Sequence, residues 1–261
     1  MSRILWTIAL FIALAGRALA VGSLAEFTVY DRTERKSLPV YWHDGKAWVM
    51  GKPGNEYQIT LRNRAGGDLL AVLSVDGVNA VTGETASATQ SGYVVETGRS
   101  LDVQGWRKSL DRTAAFYFTE LPDSYAARTG RPDNVGVIGV ALFRRKVEEP
   151  PPYQPAAPLS DGDRDSRRSE NAALAADSAQ RVPSREFRLE SRSLGTGHGR
   201  NEESHAQYVQ FERATTSPEE TITIYYDSRA NLLARGVLPT EPWRDPRPFP
   251  AQFVRDPPPR W

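Results

Sequence analysis

The sequence predicts an all-β protein: a single antiparallel β-sandwich, jelly-roll-like or immunoglobulin-like, over residues 25–146, then a disordered linker and a small C-terminal β element. Three observations carry this reading. Between residues 25 and 143, short runs of β-branched and aromatic residues recur between turn residues, at the roughly 8–12-residue spacing of a sandwich or barrel. Tyr57, Ile59 and Leu61 alternate with Gln58, Thr60 and Arg62, which marks a strand with one buried and one wet face. No long amphipathic helical pattern interrupts the region.

The start of the chain reads as a signal peptide over 1–20: a basic Met1-Ser2-Arg3, an apolar run from Ile4 to Leu14, and the small-x-small site Ala18-Leu19-Ala20. That apolar run falls short of the roughly 20 residues a spanning helix needs, and Arg17 closes it. A periplasmic or secreted protein, not membrane-spanning after cleavage, is expected. With 39% hydrophobic residues, 19 Pro, 20 Gly and mean hydropathy -0.50, the 261 residues are too polar for two full cores. Cysteine is absent, so an exported domain here has to be held by its core rather than by disulfides. The 33 Lys/Arg and 32 Asp/Glu nearly cancel to +1, which argues against nucleic-acid binding by counterion release.

In chain order, strands are expected at 26–31, 39–42 with 47–50, 56–63, 69–75, 78–82, 92–96, 100–104, 113–119 and 135–143. Residues 69–75 and 135–143 are apolar almost throughout, as central strands covered on both faces are, and Gly136 and Gly139 allow close backbone approach. Asp76-Gly77 supplies the positive-φ pair of a tight hairpin, and Asp44-Gly45 and Ala65-Gly66-Gly67 offer the same chemistry. A short helix is expected within 121–130, with Pro122 near its start and Gly130 closing it.

Residues 147–205 read as a disordered linker rich in Pro, Ser, Arg and Asp. Within it, Gly195-Thr196-Gly197-His198-Gly199-Arg200 reads first as a flexible hinge and second as an anion-cradling loop. Order is expected to return at 206–238 as a small β-hairpin element, Tyr208–Phe211 with Thr221–Tyr226, followed by a third strand near Leu232–Leu238. The tail 239–261 interleaves Pro and Arg with Trp243, Phe249, Phe253 and Trp261, suiting an extended tether or peptide ligand.

No catalytic set stands out. His43, His198 and His205 are the only histidines, so no zinc site is expected. Asp76, Asn79, Glu84 and Asp102 offer oxygen ligands beside loops without a calcium-loop spacing, and Asp76 is read first as a turn former. There is no Gly-x-Ser-x-Gly turn, and nothing selects a carboxylate pair from Glu56, Glu84, Glu96 and Glu120 for glycoside cleavage. No metal and no cofactor are assigned. The better functional hint is aromatic: Trp106 and Arg107 follow Gly105, and with Tyr125 they offer a stacking surface for sugar rings or a proline-rich peptide if exposed. The competing reading buries Trp106 with its indole N–H on backbone. His198 and Arg200 complete the set of candidate ligand-binding residues.

The stretches Val72-Leu73-Ser74-Val75-Asp76-Gly77-Val78-Asn79-Ala80, Gly92-Tyr93-Val94, Gly105-Trp106-Arg107, Phe116 to Thr119, Val135 to Gly139, the Gly195–Arg200 run and Tyr225-Tyr226-Asp227-Ser228 resemble an uncharacterised family of exported bacterial hypothetical proteins. The resemblance implies export and groups the chain, and carries no activity. The expected function is a non-enzymatic interaction or scaffold role in the bacterial periplasm. Its partner is expected to be another periplasmic protein or an envelope polysaccharide. The alternative is a glycan or cell-wall binding module using exposed aromatics, and a hydrolase ranks below both.

Overall fold

The computed structural model describes residues 20–147 and 193–239, which pack as two β-sheets without barrel closure. The expected signal peptide apart from Ala20, the linker over 148–192 and the tail beyond Pro239 lie outside the described residues. The elements are β1 (Ala25–Asp31), β2 (Lys36–Ser37), β3 (Val40–His43), β4 (Lys46–Gly51), β5 (Glu56–Asn63), β6 (Leu69–Val75), β7 (Val78–Asn79), β8 (Tyr93–Val95), β9 (Ser100–Val103), β10 (Gly105–Arg107), β11 (Arg112–Glu120), α1 (Tyr125–Arg128), β12 (Val137–Arg144), β13 (Leu194–Glu203), β14 (Glu220–Ser228) and α2 (Arg229–Ala234). The first sheet runs β10-β11-β5-β1-β2, with β13 on β11 and β9 on β5; the second runs β3-β4-β14-β12-β6-β7, with β8 on β6.

The core lies between the sheets. Phe27, Tyr57, Ile59 and Phe118 of the first meet Leu73, Val140, Ile224 and Tyr226 of the second in one buried cluster. β5 alternates as its sequence requires, burying Tyr57, Ile59 and Leu61. β6 is buried almost throughout because its outer face is covered too: Leu70 and Val72 join Phe143 in a second cluster against which Phe211 packs. Asp76-Gly77 and Asp44-Gly45 both adopt positive φ, as tight hairpins demand. Ala65-Gly66-Gly67 does not: β5 and β6 belong to different sheets, so this link crosses the sandwich instead of folding a hairpin. The expected helix over 121–130 is a 3-10 turn at Leu121–Asp123 followed by α1, whose N-cap Ser124 accepts the Ala127 amide.

The sandwich does not end at residue 146. β13 pairs antiparallel along β11, from Leu194 opposite Glu120 to Glu203 opposite Arg112. β14 occupies the middle of the second sheet, parallel to β4 (Tyr226 opposite Val49) and antiparallel to β12 (Ile224 opposite Ile138). Without β14 that sheet would be split, its halves two strand spacings or about 9–10 Å apart. Residues 193–205, expected as linker, therefore form a structural strand, and 206–238 is not a separate hairpin element. Tyr208–Phe211 is not a strand, and the expected third strand is helix α2: Ser228 caps it by accepting the Asn231 amide, and Gly236, at φ 73, turns the chain after it. Leu232, Val237 and Leu238 then pack beside Tyr41 and Trp48. Among the described residues, no helix is long and apolar enough to cross a membrane.

Candidate functional site

The Gly195–Arg200 run is neither hinge nor anion loop but the heart of β13. Its period of two sends Gly195 and Gly197 to one face and Thr196 and His198 to the other, until the register shift opposite Ala114–Phe116 breaks the alternation and leaves Arg200 on the Glu56 side of the sheet. The glycines are required by close packing. A Cβ on Gly195 would lie 2.6 Å from Ser124 Cβ and 2.7 Å from Val135 Cγ1. Gly195→Ala is expected to cost about 1–3 kcal/mol through overpacking, measured as a fall in the urea midpoint without a change in slope.

Thr196 anchors a buried chain of hydroxyls that crosses the sandwich. Its Oγ1 lies 2.7 Å from Tyr57 Oη of the first sheet and 2.7 Å from Tyr226 Oη of the second. Tyr226 Oη donates to Asp76 Oδ1 at 2.6 Å, and the Thr196 amide donates to Asp76 Oδ2 at 2.7 Å. The amides of Gly136 and Val137 also donate to Asp76 Oδ1, at 2.9 and 3.4 Å. Asp76 is fully buried. Burial, outweighing these four donors, pushes its carboxyl up to about 6. The same burial raises both tyrosines well above their ordinary value. Asp76 is thus a turn former and also the tie between β12, β13 and β14. This group is closed to solvent and belongs to stability.

Trp106, Tyr125 and His198 come together. The Trp106 ring lies 4.8 Å from that of Tyr125, which lies 5.5 Å from that of His198. Trp106 is 3% exposed and its indole N–H donates to the Gly197 carbonyl at 3.2 Å, so it offers no face to a ligand. His198 is half-buried and its pKa is lowered, first by burial and then by Lys108. Arg200 stands apart, exposed and held by Glu56 at 2.8 Å and Glu202 at 2.8 Å, with Arg32 also on Glu202. Arg200 holds the Glu56 carboxyl below its usual range. Asp76 and Asn79 are buried and bonded to protein groups, and among the described residues no cluster of His, Cys, Asp or Glu could hold a metal.

Arg107 leaves the core where Trp106 enters it, and reaches a groove of about 930 Å³. The groove lies along β8 and β9, each of which pairs on one side only, β8 with β6 and β9 with β5. Residues 204–214 span it. Ser204 and Ala206 donate their amides to Asp111 and Leu110 at one end, while the Glu212 carbonyl and the Ala214 amide bond Lys146 and Arg144 at the other. Tyr93, Phe211 and Tyr208 bring rings to the lining. Its charges are Arg99, Arg107, Lys108, Arg145 and Arg213 against Asp68, Glu96 and Asp102.

The acids are largely committed, since Asp68 lies 3.3 Å from Arg145 and Asp102 accepts from Thr60 at 2.6 Å. Two of the arginines bond only neutral oxygens. Arg107 donates to the Ser204 carbonyl and hydroxyl at 2.6 and 3.1 Å, and weakly to the Ser109 carbonyl. Arg213 donates to the carbonyls of Ala88 and Gln90 at 2.8 and 2.7 Å while stacking on Phe143. The groove draws on β8, β9, β10, β11 and the 204–213 segment, and of the five ligand-binding residues expected from sequence only Arg107 lines it. No protein family, curated protein or solved structure matches the chain.

Proposed function

We propose that the protein is an exported, non-enzymatic binding module of the bacterial periplasm, and that an envelope polysaccharide segment lies in the groove beneath residues 204–213. The observation that carries this reading is the groove itself. It runs along β8 and β9, with aromatic side chains in its lining for the apolar side of a sugar and many hydroxyl, amide and guanidinium groups for its edges. A protein partner is less well served, because protein interfaces want a contiguous apolar centre. Of the large exposed apolar residues among those described, Leu110, Tyr208 and Val209 line the groove but are interspersed with its charges and hydroxyls, and Trp42 and Val147 lie outside it. The frame is best read as jelly-roll-like: its chain passes repeatedly between sheets and has more short strands than the about seven to nine of an immunoglobulin domain.

The test is calorimetric titration of the whole protein with a panel of soluble envelope-polysaccharide fragments. Saturable binding of at least one member is expected, weakened at least about fivefold in Arg213→Ala. That variant withdraws a guanidinium from the groove wall. Absence of heat across the panel, or catalytic breakdown of a fragment, would reject the proposal.

A further inference from the structure

We infer that the groove selects an acidic glycan, one carrying a carboxylate on its sugar ring, at a subsite formed by Arg107, Thr113 and Tyr93. This rests on the groove being the binding site and adds the chemistry of its occupant.

Arg107 and Thr113 are register partners across β10 and β11, so their side chains are immediate neighbours on one face. The Arg107 guanidinium lies 5.8 Å from the centre of the Tyr93 ring. All three line the groove. Thr113 is 1% exposed, yet its Oγ1 has no hydrogen-bond partner; the Arg107 Nε–H and the Tyr93 hydroxyl are likewise buried and unpartnered. Buried polar groups in native proteins are ordinarily satisfied, and leaving one unmade costs about 1–3 kcal/mol. Three such groups on residues that share one groove lining form a donor set that a ligand completes when these side chains turn into the groove.

The set is specific in sign. An arginine Nε–H only donates, and two adjacent hydroxyls can both turn donor, which matches the lone pairs of a carboxylate. Among the described residues the Arg107 charge has no acidic partner of its own, since its other nitrogens bond Ser204 and Ser109 oxygens. An anion there neutralises a guanidinium that the fold leaves without a counter-ion. The flanking hydroxyls of Thr89, Ser91 and Ser100 suit the remaining hydroxyls of a sugar chain.

The probe is a tetramer of a hexuronic acid, compared with the same tetramer after reduction of its carboxyls to alcohols. Wild type is expected to bind the acid form at least tenfold more tightly. Thr113→Val and Tyr93→Phe each remove only an unpartnered hydroxyl, so thermal stability should hold or rise while affinity for the acid tetramer falls about five- to tenfold. Arg107→Gln is expected to erase the preference for the acid form.

Equal binding of both tetramers, or Thr113→Val and Tyr93→Phe binding like wild type, overturns the acidic subsite and leaves the groove reading standing. If neither tetramer binds, the subsite is rejected, and the polysaccharide panel decides the broader reading separately.

Discussion

Replacing Asp76 with alanine is expected to remove about 3–5 kcal/mol of folding stability, as much as truncating a buried aromatic ring of the core. The substitution strands the Thr196, Gly136 and Val137 amides and the Tyr226 hydroxyl in a dry interior, and it places alanine at φ 52, which aspartate tolerates better. Tyr226→Phe, which removes one donor, should cost only about 1–2 kcal/mol. The same carboxyl also makes stability depend on pH. Its folded pKa of about 6 stands above the ordinary 3.8, so between those values the folded protein keeps a proton that the unfolded chain has released. Stability from this residue is therefore full below about pH 4 and lost as pH rises to about 6, a change of about 3 kcal/mol. Glu34 and Glu56, whose pKa values are lowered by their Lys and Arg partners, pull the other way. The diagnostic quantity is consequently the difference between wild type and Asp76→Asn in urea unfolding at pH 4, 5, 6 and 7. A gap that stays constant across that range would show that Asp76 does not titrate there.

A chain ending at residue 147 is expected not to fold. It would keep β1 through β12 but lose β14, which among the described residues alone bonds both β4 and β12, together with the buried side chains of Leu194, Ile222, Ile224 and Tyr226. At about 1.5–3 kcal/mol for each fully buried side chain, those four residues together match the usual margin of about 5–15 kcal/mol, before the opening of the sheet they join is counted. Far-UV dichroism of the fragment should show no β signal and no cooperative melt, and adding the separate piece 193–239 should restore both. A fragment that melts cooperatively by itself would contradict the central position of β14 in its sheet.

Much of the fold was legible because its signals are local. The alternation in 56–63, the apolar runs at 69–75 and 135–143 and the Asp-Gly turns at 44–45 and 76–77 each declare themselves within a few residues. β13 was missed because Gly195, Gly197 and Gly199 look like a hinge by composition; the alternation of Gly195 and Gly197 with Thr196 and His198 was the signal available, and the bulge before Asn201 shortens it. The central place of β14 has no local signature, since Ile224 pairs with Ala47 across most of the chain. Residues 229–234 form a helix because Ser228 caps them, whereas the apolar run after Asn231 resembled a strand.

The candidate site shows the same division. Trp106, Tyr125 and His198 do meet, but as buried and half-buried neighbours. Tyr93, Thr113 and Arg213 join Arg107 only because three distant segments converge, an arrangement that no spacing in the sequence records.

The position of β14 also sets when this molecule can become itself. A chain delivered from its N-terminus carries unmatched edges on β4 and β12 until β14 follows. Contacts so far apart in sequence form slowly. Closure of the second sheet is thereby postponed until β14 arrives, and the groove stays unassembled until residues 204–213 arrive with it.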